Sequence, residues 1–170
     1  LFPYTTLFRS TTDQIVGLVA AQLGAMADKV SGLTANQVAA IETGDLTGLT
    51  TTQVESLSAT QVKALTATQV GKMTGEQVGA INSIDKMSEA QIGAMTSTQV
   101  QGLTVEQMGA MGTAQIAALR TDVIDKLSTD QIAALSTTAT GTEAKPEPSQ
   151  LQALSAAQVT KLTATQLQAL

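Results

Sequence analysis

The side chains best placed to do chemistry in this chain are amides and hydroxyls. A glutamine recurs every eight residues at Gln53, Gln61, Gln69 and Gln77, again at Gln91, Gln99, Gln107 and Gln115, and then at Gln131; Gln14, Gln22, Gln37, Gln150, Gln158 and Gln166 extend the column towards both ends. Three residues before most of them stands Thr or Ser. Two chemistries suit such a column. It could present a ladder of amides to a ligand along one face, or it could form capping boxes, in which the hydroxyl accepts from an early helical N–H and the glutamine reaches back to the cap residue. Capping explains both residue types and their spacing at once, so it is the reading preferred here.

Other reactive groups are scarce. The chain has no His, Cys or Trp, so any metal site would be built from oxygen alone, and thiolate or imidazole catalysis is excluded. Asp28, Asp85 and Asp125 recur in ADKVS, IDKMS and IDKLS. They lack the closely spaced oxygen ligands and the turn glycine of a calcium loop, and each precedes a lysine, so they are expected to be surface pairs that close their units. No phosphate-cradling glycine loop occurs, and Ser and Thr are abundant because they cap. The expectation is a chain that is not an enzyme, with no catalytic, cofactor-binding or metal-binding residue and no cofactor.

Composition narrows the partners. Of 170 residues, 43% are hydrophobic but only 2% aromatic, so a core must be made of Ala, Val, Leu, Ile and Met. The formal charge of −5 leaves no basic face for a phosphate backbone, and nucleic acid is not an expected partner. The longest apolar stretch, 15 to 26, contains Gln22 and is too short to cross a bilayer, so no membrane insertion is expected.

The elements that must position the glutamines follow from the repeat. Aligning LSATQVKA (57–64), LTATQVGK (65–72), MTGEQVGA (73–80) and MSEAQIGA (87–94) gives a consensus of Leu/Met, Thr/Ser, two variable positions, Gln, Val/Ile, one variable position and Ala/Gly. In one continuous helix the leucines would rotate by about 80° per octad and smear around the cylinder. Strands lack the required alternation. Short helices fit: each begins after its Thr or Ser, with the preceding Leu and following Val placed as a hydrophobic staple. Asp13, Glu76, Glu106 and Asp130 lie in first turns, and Lys72, Lys86, Lys126 and Lys161 close their units, which suits the helix dipole.

Isolated helices under about 12 to 15 residues are marginal in water, so neighbouring units must hold these. The predicted fold is all-α, a solenoid-like array of short capped helices with an eight-residue repeat. The Met residues mostly replace Leu and belong to its narrow core, and the small eighth position is expected to let turns approach. Spacing slips to seven residues between Met26 and Leu33 and to six between Ile81 and Met87, while IETGDLTG (41–48) and LRTDVIDK (119–126) keep their length without Gln.

The array is expected to span 11–135, to pause at a flexible linker or loop over 136–148 that contains Pro146 and Pro148, and to continue over 149–170 as a truncated piece of something longer. The opening LFPYTTLFRS (1–10) holds every aromatic residue. It resembles, codon by codon, the translation of a common sequencing adapter, and is set aside as a non-native artefact.

Stretches such as QVAAIETGDLTGLTTTQV (37–54) and LTATQLQAL (162–170) resemble repeat regions of very large exported bacterial proteins of adhesin-, haemagglutinin- and haemolysin-like type. That resemblance implies a non-catalytic structural spacer located outside the cell or on its surface, touching host or surface macromolecules through weak repeated contacts. It supplies no site residue. LTANQVAAI (33–41) is similar to the first helix of the DNA-reading repeats of transcription-activator-like effectors, but the base-reading loop and second helix of those longer repeats are absent. The alternative reading is a peptide- or glycan-binding helical solenoid. Such a module calls for varied or aromatic residues at positions three, four and seven, which here are mainly Ala, Thr, Gly and Glu.

Overall fold

The structure, a computed structural model, describes residues 11–135, 140–142, 145–147 and 149–170. The opening 1–10, read as an artefact, lies outside the described residues. Among those described, the chain forms fifteen α-helices of four to six residues and three short 3-10 helices.

One octad shows why. Ser58 is extended, with ψ of 159°, and its hydroxyl accepts from the Gln61 N–H; the helix runs from Ala59 to Ala64. Leu65 then returns to extended backbone at ψ 131° and leads directly into the Thr66 cap of the next helix. The same break recurs at Ile41, Leu103, Met111 and Leu119, with ψ between 129° and 139°. Two adjacent extended residues stop one helix and redirect the chain before the next, so consecutive helices cannot merge into one rod.

Three octads complete a turn. Ala35–Ala40 packs on Ala59–Ala64, Ala67–Val70 on Glu89–Gly93, Gly75–Gly79 on Ser97–Gly102, and Val105–Ala110 on Thr129–Ala133. In every pair two further units intervene along the chain. Inside the coil, the Leu/Met and Val/Ile columns meet: Leu57, Val62, Leu65, Val70, Met73 and Val78 are all at most 5% exposed. All six methionines are buried, five in the Leu column and Met108 in the Val column.

Backbones of successive turns nearly touch. A methyl carbon on Gly75 would lie 2.7 Å from the Thr98 carbonyl oxygen, and one on Gly24 would lie 2.8 Å from that of Gly48. Gly79 faces the Gly102 carbonyl more tightly still. Close approach was expected of the eighth position; positions three and seven share it, because they face the backbone of the following turn.

The irregular units keep their place by changing helix type. The seven-residue unit contains the 3-10 helix Ala27–Gly32, and the six-residue unit contains Ile84–Lys86. A 3-10 helix rises about 2.0 Å per residue against about 1.5 Å for an α-helix, so fewer residues can span the same edge. Entry into the first of these places Ala27 at φ 47°, a left-handed conformation unusual for a residue with a Cβ.

The segment 136–148, expected as a flexible linker or loop, contains an antiparallel two-stranded hairpin. Thr140–Thr142 pairs with Lys145–Glu147, with Gly141 opposite Pro146. The rest of that segment lies outside the described residues. Ser149 and Gln150 are buried beyond it, so the array resumes at once.

Candidate functional site

The glutamine column is the most regular polar feature, and its geometry is clear at Gln69. The side-chain Oε1 accepts the Thr66 N–H at 2.7 Å, and the Gln69 N–H donates to the Thr66 hydroxyl at 3.1 Å, completing the capping box. The remaining end of the amide points across the coil. Its Nε2 donates to the carbonyl of Val38 at 3.0 Å and to that of Ile41 at 2.8 Å, in the turn before. One 1%-exposed side chain therefore caps its own helix and clamps it to its neighbour.

This double use repeats along the array. Gln61 reaches Val30 and Leu33, Gln77 reaches Leu46 and Leu49, and Gln99 reaches Val70 and Met73. Across the hairpin insertion the ladder continues: Gln150 donates to Met108 at a sequence separation of 42, where the uninterrupted array shows 31 for Gln131 and Val100. The insertion thus leaves the register unchanged. Of each acceptor pair, the carbonyl in the Val column also accepts the N–H of the next Leu-column residue, as Val38 does from Ile41 at 3.2 Å, so the clamp adds a second bond there and supplies a donor to the Leu-column carbonyl at the break between helices. Among the described residues no buried side-chain nitrogen or oxygen lacks a hydrogen bond.

Residues 38–75 and 105–137 match the family model of the ALTTAQ repeat. No curated protein matches the chain. The letters of that family name agree with Ala64–Gln69, A-L-T-A-T-Q, at the first three positions and the last, which in this chain include the Leu pivot, the Thr cap and the ladder glutamine.

Sequence reasoning recovered the cap and missed the clamp. A signal for it was present: a capping box accepts Glu as readily as Gln, yet every polar residue completing a box here is Gln. Only the amide can accept from its own cap and also donate across the coil. Where the column departs from Gln the bonding changes. Asp45 Oδ1 accepts the Ala20 N–H of the previous turn at 2.9 Å, and buried Val123 makes an apolar contact instead. Val19 and Gly112 occupy cap positions without a hydroxyl and keep only the reach-back bond, from Gln22 at 2.9 Å and Gln115 at 2.7 Å.

The outer surface carries the remaining chemistry. Asp85 pairs with Lys86 at 2.6 Å and Asp125 with Lys126 at 3.0 Å, both exposed, as expected for unit-closing pairs; the side chain of Asp28 lies outside those described. Arg120 Nε donates to Asp122 at 2.9 Å, which raises the guanidinium pKa and lowers that of the carboxyl. The Glu106 carboxyl is also lowered, first by its own backbone N–H and then by the Thr104 hydroxyl. Among the described residues no three of His, Cys, Asp or Glu cluster as a metal would require. No described helix is long and apolar enough to cross a membrane.

A shallow groove of about 380 Å³ opens where the seven-residue unit meets the next turn, lined by Gly24, Ala27, Thr50, Thr52, Gln53 and Ser56. Its best donor is already engaged, because the Gln53 amide donates to the carbonyls of Leu23 at 2.9 Å and Ala27 at 3.1 Å.

Proposed function

We propose that this chain is a non-catalytic structural spacer of a large exported or surface bacterial protein of adhesin-like type, acting through reach and through weak repeated surface contacts. The observation that carries the reading is that the most regular polar side chains are used inside the coil. The buried glutamines spend their amides on capping and clamping, and the outward positions hold small or singly charged residues, as at Ala59, Thr60 and Lys63. A rod assembled this way lengthens by one unit at a time without a new fold, since each unit contacts only neighbouring turns.

The test combines sequence and mechanics. Reading the source locus through both flanks should reveal further octads, an export signal and adhesive or anchoring domains, and stretching single molecules should give a ladder of small unfolding events. A short intact gene whose product binds a peptide or glycan tightly in an array screen would replace the spacer by a binding solenoid. Reproducible turnover of any substrate would overturn both readings.

A further inference from the structure

The chain has two asparagines, Asn36 and Asn82, and the fold places them in opposite circumstances. Asn36 sits in the first turn of Ala35–Ala40, and the N–H that follows it, on Gln37, donates to the Thr34 hydroxyl at 3.3 Å. Asn82 is exposed in the turn that opens the six-residue unit. Ser83 follows it at φ −113° and ψ 47°, outside helical geometry, and among the described residues its N–H donates to no group.

Asn82 also takes the place of a ladder glutamine. Gln77 serves the Leu46 and Leu49 carbonyls and Gln91 serves those of Val62 and Leu65, so the Val54 and Leu57 pair between them receives no glutamine. The Asn82 Nδ2 donates instead to the Glu55 carbonyl at 3.0 Å, where the helix Thr51–Glu55 ends. Among the described residues this is the only side-chain hydrogen bond from the unit 81–86 to the turn before.

We infer that Asn82 is a site of spontaneous deamidation, and that its conversion unties the six-residue unit from the preceding turn. The main-chain nitrogen of Ser83 attacks the Asn82 Cγ. A new C–N bond forms, the Cγ–Nδ2 bond breaks, and Nδ2 leaves as ammonia with the proton given up by the Ser83 nitrogen, which closes a cyclic succinimide. Water then opens the ring at either carbonyl, to aspartate or to isoaspartate. Ser83 suits this attack, having a small side chain and an unengaged N–H, whereas at Asn36 the helix must first open. Either product turns the donor into a carboxylate facing the Glu55 carbonyl oxygen, and isoaspartate also lengthens the main chain of the shortest unit. This inference is independent of the proposed spacer role.

The experiment incubates the full, folded chain at mildly alkaline pH and follows it by mass spectrometry after trypsin. Cleavage after Lys29, Lys63, Lys72 and Lys86 leaves one asparagine in each of the peptides 30–63 and 73–86. The second should convert at least about tenfold faster than the first, because opening the Asn36 helix adds to that barrier. Isoaspartate within it is read by enzymatic isoaspartyl methylation. Asn82→Gln should abolish the conversion in 73–86, and Ser83→Val, which crowds the attacking nitrogen, should slow it severalfold; both should keep the circular dichroism of the parent. The deamidated fraction, separated by its added negative charge, should exchange the amide hydrogens of Leu57 and Met87 several times faster than the intact fraction. These amides donate to Val54 and Ile84, on the two sides of the lost tie. Equal conversion of the two peptides, a rate unaffected by Ser83→Val, or unchanged exchange at both amides after conversion would each overturn the inference.

Discussion

Two octads with nearly the same sequence have different environments. LTATQVGK at 65–72 lies in the interior, and LSAAQVTK at 154–161 lies in the last turn. Both form the box, both bury the glutamine to 1% exposure, and both clamp backwards, Gln69 to Val38 and Ile41, Gln158 to Ile116 and Leu119. Their valines differ: Val70 is fully buried and Val159 is 43% exposed. Each unit therefore looks back through its glutamine and forward through its valine. Its forward half is stabilised only when another turn follows.

The largest break in this comparison comes from charging the valine. Val70→Asp should cost at least about 4 kcal/mol, because an unpaired carboxylate would sit in an apolar coil, whereas Val159→Asp should stay within about 0.5 kcal/mol. Urea titration monitored by circular dichroism measures both. Hydrogen exchange on the first variant should show loss centred on neighbouring turns.

Next comes the clamp. Gln69→Glu keeps the cap and removes the donor, leaving the Ile41 carbonyl without its clamp and the Val38 carbonyl with only the Ile41 N–H, both beside a buried charge, at about 2–4 kcal/mol near neutral pH. Burial and facing carbonyls raise the pKa of such a glutamate above its unfolded value of about 4.3. The unfolded state then releases its proton first as pH rises, so the cost is present at neutral pH and falls on acidification, when the protonated acid can donate again. Gln22→Glu, on an exposed glutamine, should be near neutral at every pH where the fold persists.

Smaller effects test the backbone contacts and caps. Gly75→Ala should cost about 1–3 kcal/mol because its methyl would meet the Thr98 carbonyl, while Gly44→Ala, with nothing within 4 Å, should be neutral or stabilising by up to about 1 kcal/mol. Thr66→Ala should cost about 1 kcal/mol, and Gly112→Ser, which completes an existing half-box, should gain a few tenths. Thermal and urea midpoints resolve the order.

Much of the fold was legible because its grammar is local. The Ser58 and Gln61 box, the Leu57 and Val62 staple and the break at Leu65 lie within one octad and its boundary, so spacing alone exposes them. The hairpin was not legible, since Thr140–Thr142 and Lys145–Glu147 have neither alternation nor an Asn-Gly turn, and composition suggested a loop. The clamp was hidden for another reason: Gln69 and Val38 are 31 residues apart, and nothing in either octad names the other. Only the absence of Glu from the column carried a trace of it.

The sequence by itself determined where each helix begins and ends, which two columns are apolar, and the period that makes the units equivalent. These depend on hydrogen bonds and contacts between residues at most five apart, which the chain order specifies directly. The tertiary structure decided that three octads make a turn, why the box residue must be an amide, and which valines are covered. An eight-residue period is compatible with any number of units per turn; the choice is made where Gly75 meets the backbone of Thr98 and a glutamine reaches two carbonyls in the turn before.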